Sequence, residues 1–380
     1  MTEFDSGMRR QALSLPDLLR TQYEDLEPKA RTALTTPEIF SIQRIVLTGC
    51  GDSHAAAMAV KYAFQELTGL PTEVVPAIEL SRHYPLNQLG FAPRNPLVIA
   101  VSNSGGVVRT AEAMACAARH GAFTLAVTGR EDSLLGRRAT RVMKLNVPPF
   151  ESAPGTRSYL VSLLSLLLLA IRFGEVRGRY TMDQAMDYRH DLLRQADELE
   201  RLLPALDRQM MDLAGQWRDL EAYDFIGAGR DYGAAWFGHA KVFEAMGRYA
   251  MTVNTEEWLH LNFFMKPFDR IGTVLVCGGD SLSAGRAREL LGHAVKDVRR
   301  PSLLITDDPQ AFPGAACPVA VTPKTRYPLS GVLTQYVPLC LLFGAIGAML
   351  GEEDGRGCRD NWSFAQDGAA IQHSEWLLRE

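Results

Sequence analysis

Short apolar runs alternate with helical patterns along most of the chain. The runs at 44–48 and 96–101 are rich in Ile, Val and Leu without regular polar alternation, and each leads through a glycine-containing polar turn into a helical pattern. Continuous apolar strands separated by helices are typical of parallel sheets covered on both faces. The pattern therefore predicts an α/β fold built on doubly wound parallel sheets.

This arrangement occurs twice along the sequence. Strand, turn and helix at 44–67 and at 96–120 are matched in the second half by strands 223–226 and 273–277 with their own turns and helices. Because 380 residues exceed what one hydrophobic core usually sustains, we expect two similar domains that arose by duplication. The predicted parts are an N-terminal helical segment 1–40, a first domain 41–180, a helical connector 181–220, a second domain 221–350 and a tail 351–380.

The composition argues against several classes of protein. The net charge is −4, and Lys and Arg are scattered, so no basic surface for nucleic acid is expected. The six cysteines lie far apart without CxxC spacing, and the N-terminus lacks the apolar stretch of a signal peptide. The most apolar run, 158–171, is shorter than the roughly 20 residues that cross a bilayer. We therefore expect a cytoplasmic protein without a membrane span, in which 158–171 is a buried helix.

Two polar turns in the first half are candidates for binding an anion. The turn Ser102-Asn103-Ser104-Gly-Gly and the turn Gly-Cys-Gly-Asp-Ser53 each stand between a strand and a helix. Backbone N–H groups and the positive end of the helix dipole meet at such positions, and ligands of open α/β sheets bind there. The alternative is a structural turn with an N-cap serine. In the matching turn of the second half Asp280 would repel a phosphate, so one phosphate site is expected.

The second half holds candidates for proton transfer. Lys241 and Glu244 lie three residues apart on a predicted helix and share one of its faces. Glu256, Glu257 and His260 follow, and carboxylates and imidazoles are the groups that acid–base catalysis uses. A surface ion pair and a structural histidine are the plainer interpretations, and spacing alone does not decide between them.

Four segments carry a resemblance to a known family. They are GCGDSHAAA after the first strand, AVSNSGGVVRTAEA after a later strand, APGTRSYLVSLLSLLLL, and GHAKVFEAMGRYAMTVNTEEWLH in the second half. Together they resemble the sugar isomerase (SIS) domain family in its tandem form, as in the isomerase half of glucosamine-6-phosphate synthase and its stand-alone relatives. The resemblance covers nearly the whole chain and implies two doubly wound, flavodoxin-like SIS domains.

The resemblance implies a catalytic role for three residues. Glu244 matches the general base that moves a proton between C1 and C2 of the sugar, His260 the residue that assists ring opening, and Lys241 a nearby supporting cation. In relatives the histidine comes from the neighbouring subunit, which implies a homodimer with a site shared between subunits. The implied chemistry requires no metal and no cofactor.

The resemblance also implies where the substrate phosphate binds. The matching residues are Ser53, Ser102, Asn103 and Ser104. Further candidates for substrate contact are Gly51, Asp52, Arg109, Thr156 and Glu257. Val107 departs from the family, because relatives commonly place a threonine hydroxyl there, and Arg109 either compensates or faces solvent. The tail lacks the lysine that closes the site in the synthases, since the last lysine is Lys324.

The implied function is that of a phosphosugar isomerase or deaminase acting on an amino sugar phosphate such as glucosamine 6-phosphate. No glutaminase segment precedes Met1, so we expect an enzyme of the stand-alone type rather than a synthase. The alternatives are a fructosamine-6-phosphate deglycase and a non-catalytic sensor of sugar phosphates. A dinucleotide-dependent oxidoreductase is disfavoured because GAGRDYG lacks the third glycine of the GxGxxG motif at its expected place.

Overall fold

The computed structural model of the protein describes residues 4–90, 95–352 and 369–379. These residues form two compact units. The first unit contains described residues of 19–149, 158–190 and the C-terminal segment 369–379, and the second contains 4–18, 150–157 and 191–352.

The secondary structure of the described residues alternates between strands and helices. The strands are β1 Arg44–Thr48, β2 Thr72–Val74, β3 Pro96–Ser102, β4 Phe123–Thr128, β5 Arg141–Lys144, β6 Ala222–Ile226, β7 Tyr249–Val253, β8 Ile271–Val276, β9 Ser302–Thr306 and β10 Val319–Val321. The helices are α1 Gly7–Leu13, α2 Leu15–Thr32, α3 Thr36–Ser41, α4 Asp52–Thr68, α5 Ala77–Arg82, α6 Val108–Arg119, α7 Arg157–Val176, α8 Met182–Trp217, α9 Tyr232–Met246, α10 Thr255–His260, α11 Ala284–Gly292, α12 Val337–Met349 and α13 Ala369–Gln372.

Each unit is organised around one parallel five-stranded sheet. The strand order is β2-β1-β3-β4-β5 in the first unit and β7-β6-β8-β9-β10 in the second, and all neighbouring strands are parallel. The two orders are the same permutation of the chain, so the predicted pair of doubly wound, flavodoxin-like sheets is confirmed. In this topology successive connections run in opposite directions from the first and third strands, which creates a switch point between those strands.

The central strands are buried along their whole length. Every residue of β3, β4, β8 and β9 is buried, as expected for strands with helices on both faces. The predicted bounds of several elements differ slightly from the structure. Helix α4 begins at Asp52 instead of residue 53, α6 at Val108 instead of 107, and β8 covers Ile271–Val276 instead of 273–277. Such shifts arise because local patterns do not specify where the hydrogen-bonded ladder ends.

The predicted connector 181–220 is mainly one helix of 36 residues, α8. Its residues 182–190 belong to the first unit and 191–217 to the second, while the proposed domain boundaries themselves stay a prediction. Of the predicted tail, residues 353–368 lie outside the described part of the chain.

Two helical segments are apolar enough, by length and composition, to cross a membrane. They are Arg157–Val176, which extends the predicted apolar helix to 20 residues, and Pro328–Met349. The length argument made from the run 158–171 is therefore wrong, because the helix continues past the run at both ends. Burial is the better argument, since 83% and 89% of the two apolar windows are buried inside the protein.

Candidate active site

Two polar turns of the first unit lie at the switch point of its sheet. Residues 49–53 follow β1 and residues 102–106 follow β3, and these strands are neighbours that pair Thr48 with Ala100. The hydroxyl of Thr110, in the first turn of α6, donates to Cys50 Sγ at 3.4 Å and so links the two turns. The structure therefore places all four predicted phosphate contacts at one edge of one sheet: Ser53, Ser102, Asn103 and Ser104.

Gly105 allows the second turn to form. Its φ is +65°, and a Cβ at this position would lie 2.1 Å from Ser133 Oγ and 2.8 Å from Thr128 Oγ1. Only glycine adopts this conformation in so little space. The Gly105 amide donates to Ser102 Oγ at 3.2 Å, and the amide of the next residue donates to Ser104 Oγ at 3.3 Å. Both hydroxyl oxygens are thereby oriented, and each hydroxyl keeps a proton that it can donate to a ligand.

The helices that follow the two turns begin in a way that suits an anion. The N-cap residues are Gly51, with φ +57°, and Val107. Neither has a polar side chain that could cap the first-turn amides. First-turn N–H groups without an intrahelical partner bind anions together with the helix dipole. In α4 the amides of Ser53 and His54 already donate to backbone carbonyl oxygens at 3.2 and 2.9 Å, so the first turn of α6 is better suited to an anion. Asp52 and Ser53 lie in the first turn of α4 and are partly exposed. Val107 adds no hydroxyl, so at this point the backbone is the remaining donor.

Arg109 is engaged by an ion pair rather than facing open solvent. Its Nη1 lies 2.5 Å from Oε2 of Glu112, a fully buried carboxylate on α6. Its Nη2 donates to Ser374 Oγ at 3.0 Å and to the carbonyl oxygen of Glu375 at 3.1 Å. A contact between Arg109 and a substrate phosphate stays a prediction, and it would require the guanidinium to leave these partners.

The matching turns of the second unit carry negative charge. Asp231 is fully buried, and its carboxylate accepts hydrogen bonds from Gln335 Nε2 at 2.7 Å and from the Gly278 amide at 3.2 Å. Burial raises the pKa of Asp231 to about 6, against the effect of these hydrogen bonds. Asp280 pairs with Arg230 at 2.7 Å. Carboxylates at this switch point disfavour a second phosphate, which supports the prediction of a single site in the first half.

Lys241 and Glu244 form a partly buried ion pair on α9. The Lys241 side chain is fully buried, and its Nζ lies 2.6 Å from Glu244 Oε2 and 4.7 Å from the centre of the Phe237 ring. Glu244 keeps 43% of its side-chain surface exposed. A buried ammonium that supports an accessible carboxylate is unlike a surface ion pair, which is solvated on both sides. The arrangement leaves a carboxylate in a fixed position where a substrate can reach it.

His260 ends helix α10 and is exposed. Asn254 caps this helix, because its Oδ1 accepts from the amides of Glu256 and Glu257 at 3.0 and 2.9 Å. His260 Nε2 lies 3.3 Å from Glu256 Oε1, and Glu256 pairs in turn with Arg286 at 2.7 Å. The exposed His260 thus pairs on its own helix, while Glu244 pairs with Lys241. That the histidine serves a site in another subunit stays a prediction.

Thr156 lies in different surroundings from the other candidates. It is fully buried, and its hydroxyl donates to the Pro154 carbonyl oxygen at 3.2 Å and approaches Cys340 Sγ at 3.6 Å. Contact with a substrate would require this hydroxyl to become accessible, so its predicted role finds no support in the geometry. Glu257, by contrast, is exposed on α10.

Sequence reasoning missed two side chains near these groups. His239, on α9, has Nδ1 2.7 Å from Thr252 Oγ1, and burial lowers its pKa. Asp224, inside strand β6, is 1% exposed and accepts a hydrogen bond from the indole of Trp258 at 2.9 Å. A lone acidic residue in an otherwise apolar buried strand is itself a signal, because such residues rarely lie in a core without a specific partner.

Comparison with known proteins agrees with the fold. Residues 38–172 match the model of the SIS domain. The chain is 28% identical over 230 residues, 60% of its length, to the isomerizing glutamine–fructose-6-phosphate aminotransferase of Gloeobacter violaceus, and 27% identical over 319 residues, 82% of its length, to that of Thermus thermophilus. These matches span 37% and 50% of the two relatives, so the chain corresponds to half or less of their length.

Solved structures with low sequence identity share this fold. The C-terminal domain of glucosamine-fructose-6-phosphate aminotransferase from Francisella tularensis superposes with a TM-score of 0.78 at 17% identity, covering 90% of this chain and 97% of that domain. Glucosamine-6-phosphate deaminase from Thermotoga maritima gives a TM-score of 0.61 at 16% identity, covering 89% and 96%. Residues 38–172 thus match the SIS domain, and the two units share one sheet order.

Proposed function

We propose that the protein is an enzyme that isomerises or deaminates a phosphorylated sugar, with an amino sugar phosphate such as glucosamine 6-phosphate as its substrate. The observation that carries the proposal is the Lys241–Glu244 pair, in which a fully buried ammonium holds a carboxylate that remains 43% exposed. A binding protein has no need for an accessible carboxylate fixed in this way. A proton-transfer enzyme requires one.

The phosphate is proposed to bind at the switch point of the first unit. Ser53, Ser102, Asn103 and Ser104 would supply neutral donors, together with first-turn amides of α6. Such an anchor holds the sugar in one orientation, which converts the proton transfer into an intramolecular step. Gly51 and Asp52 stand beside this anchor and are the proposed neighbours of the sugar in the same turn.

The proposed chemistry begins with opening of the sugar ring. His260 transfers a proton to the ring oxygen as the C1 hydroxyl loses its own, and Glu244 then removes the proton from C2, giving an enediol or an enamine-like intermediate. Return of this proton to C1 completes an aldose–ketose isomerisation. With an amino sugar the same step gives an imine at C2, which water hydrolyses to the ketose phosphate and ammonia. Lys241 stabilises the charge that Glu244 carries before it accepts the proton.

The proposal includes the assembly and location of the enzyme. His260 is 65% exposed at the end of α10, a placement compatible with service in a partner subunit's site, so we propose a homodimer. The relatives are metabolic enzymes, and the free cysteines of the described residues suit a reducing compartment, so we propose a cytoplasmic location.

The test is binding followed by turnover. The purified protein is heated with glucosamine 6-phosphate, fructose 6-phosphate, galactosamine 6-phosphate or a fructosamine 6-phosphate, and each is then assayed for release of ammonia, amino acid or ketose. A ligand at one hundred times its dissociation constant stabilises the native state by about 2.7 kcal/mol, which raises the melting temperature measurably. Stabilisation with ammonia or ketose release supports the proposal. Amino-acid release instead identifies a deglycase, and binding without any product identifies a sensor.

Variants then test the residues. Glu244→Gln is expected to lower kcat about 10²- to 10⁴-fold, the range for loss of a general base, and His260→Ala to lower it as well. Glu198→Gln is the matched control, because Glu198 is partly exposed and pairs with Arg201 three residues further along α8; it should leave kcat unchanged. If both Glu244→Gln and His260→Ala retain wild-type turnover, the assigned mechanism is wrong.

A further inference from the structure

Two charged residues, Asp224 and Arg300, are buried in the core of the second unit, and the mechanism above does not use them. Asp224 is 1% exposed in the strand β6, and Arg300 is 3% exposed just before β9. Burial raises the pKa of Asp224, while the indole of Trp258, the charge of Arg300 and the side chain of Asn262 oppose that rise. Buried charges are expensive unless they are compensated, so these two residues need a structural or functional reason.

The carboxylate of Asp224 is hydrogen-bonded to a side chain of helix α10. Asp224 Oδ2 accepts a hydrogen bond from Trp258 Nε1 at 2.9 Å, and the Trp258 side chain is fully buried. Trp258 packs in the core cluster formed by Ile226, Leu275 and Leu304 of the sheet. One end of the α10 segment is therefore fixed to β6 both by apolar packing and by a hydrogen bond to a carboxylate.

The guanidinium of Arg300 is hydrogen-bonded to a residue just after α10. Arg300 Nη2 donates to the carbonyl oxygen of Asn262 at 2.8 Å, and Asn262 is 3% exposed. Arg300 is itself held by its amide, which donates to the Ala294 carbonyl oxygen at 2.8 Å. This donor fixes the chain at the point where α10 has ended and a 3-10 turn begins.

His260 lies midway between these two attachments. Trp258 and Asn262 are its neighbours two residues before and two residues after, and both are buried, whereas the His260 side chain is 65% exposed. Helix α10 has only six residues, and a helix this short is not stable by itself in water. Its shape, and with it the direction of the imidazole, must therefore come from contacts such as these.

We infer that Asp224 and Arg300 are positioning residues for His260: Asp224 holds the chain before the histidine through Trp258, and Arg300 holds it after the histidine through Asn262. The inference rests on the proposed function, in which His260 opens the sugar ring. It places no requirement on phosphate binding, which is proposed to lie in the first unit. Removing either of these contacts should therefore lower kcat and leave the KM for the sugar phosphate nearly unchanged.

The most informative variant is Trp258→Phe, which removes the indole donor and keeps most of the buried apolar volume. We expect kcat to fall at least tenfold with KM changed less than twofold, and amide hydrogen exchange of residues 255–262 to accelerate while that of α9 does not. Trp217→Phe, a buried tryptophan of α8, is the matched control and should change neither quantity. Wild-type kcat and wild-type exchange in Trp258→Phe would overturn the inference.

Substitutions of Asp224 distinguish positioning from general stability. Asp224→Asn keeps an oxygen that accepts from the indole, and Asp224→Ala does not, so kcat should fall in the order wild type, Asn, Ala. If Asp224→Ala fails to fold, Trp258→Phe still decides the question. If the Asp224 variants have a lower melting temperature but the wild-type kcat, Asp224 has a purely structural role and the inference is wrong.

Wild-type turnover is measured first and tests the proposed function separately. If the wild type turns over none of the sugar phosphates, the proposed function fails. The exchange of residues 255–262 in Trp258→Phe then still shows whether Asp224 holds α10 through Trp258.

Discussion

Lys241 Nζ lies 2.6 Å from Glu244 Oε2, with the ammonium fully buried and the carboxylate 43% exposed. The two residues are three positions apart on α9, so the helix itself sets their separation. What the helix does not set is the asymmetry of the pair, which comes from packing of α9 against the rest of the second unit. As a result, the carboxylate lies at the surface and the ammonium lies in the interior.

Replacing Lys241 with methionine should separate stability from activity. Methionine fills similar apolar space, and the Glu244 carboxylate that loses its partner is 43% exposed and stays hydrated, so the melting temperature should not fall. Activity should fall, because a hydrogen bond to a charged group contributes about 1.5–3 kcal/mol, or about 10- to 150-fold in kcat. Thermal unfolding and steady-state kinetics of Lys241→Met measure both quantities.

The control for this prediction is Lys296→Met, at an exposed position that follows α11. It should leave kcat unchanged. A Lys241→Met protein that loses stability and keeps its kcat would show that the ammonium serves the fold and not the carboxylate.

The turn 102–106, where the phosphate is proposed to bind, can be compared with its counterpart in the second unit. Ser104 and Ser281 follow the third strand of their respective sheets, and each hydroxyl oxygen accepts a nearby backbone amide at 3.3 Å. Ser104→Ala should weaken binding of a sugar phosphate about 10-fold or more, since it removes a hydrogen bond to a charged group. Ser281→Ala should not, because its turn faces the carboxylates of the second unit. Titration calorimetry with fructose 6-phosphate measures both, and equal effects would refute a single first-half site.

Local features of the site could be predicted from the sequence, whereas its long-range contacts could not. The serine turns follow from strand–turn–helix patterns, and the Arg109–Glu112 pair has the i,i+3 spacing that helices use. The capture of Arg109 by Ser374 joins residues 265 positions apart, and no local pattern indicates such a contact. The burial of Lys241 could not be predicted either, because Lys and Glu have the same spacing in an ion pair at the surface.

The hydrogen bond between Asp224 and Trp258 could not be predicted from the sequence either, for a different reason. The strand that contains Asp224 reads AYDFI, and its apolar residues alone predict a buried strand correctly. The acid in its middle indicates that a partner exists but does not identify it. Identification needed the register of β6 against β7 and β8, which decides what packs over that position.

Glu112 holds the C-terminal segment onto the first unit, and its removal should release that segment. This fully buried carboxylate pairs with Arg82 at 2.7 Å and with Arg109, and accepts from the Leu377 amide at 2.7 Å. Removing one partner of a buried ion pair typically costs about 3 kcal/mol or more. Glu112→Gln should therefore lower the free energy of unfolding by about that amount and accelerate amide exchange at residues 374–379.

The exposed variant Glu79→Gln on α5 is the control and should do neither. Burial opposes ionisation of Glu112, but hydrogen bonds from Arg82, the Leu377 amide and Arg109 hold its pKa below 4.5. Its contribution to stability is therefore complete above pH 4.5 and is lost as the pH falls further. Unchanged exchange of residues 374–379 in Glu112→Gln would show that other contacts hold the segment.

Asp231 should make the protein less stable as the pH rises from about 4 to about 6. Burial raises its pKa from 3.8 to about 6, so within this window the folded state binds more protons than the unfolded state. The full difference corresponds to about 3 kcal/mol lost above pH 6. Asp231→Asn removes this loss, so the variant should gain most over the wild type above pH 6 and least near pH 4, as measured by urea unfolding. A difference in stability that is the same at every pH would show that the pKa of Asp231 is the same in the folded and the unfolded protein.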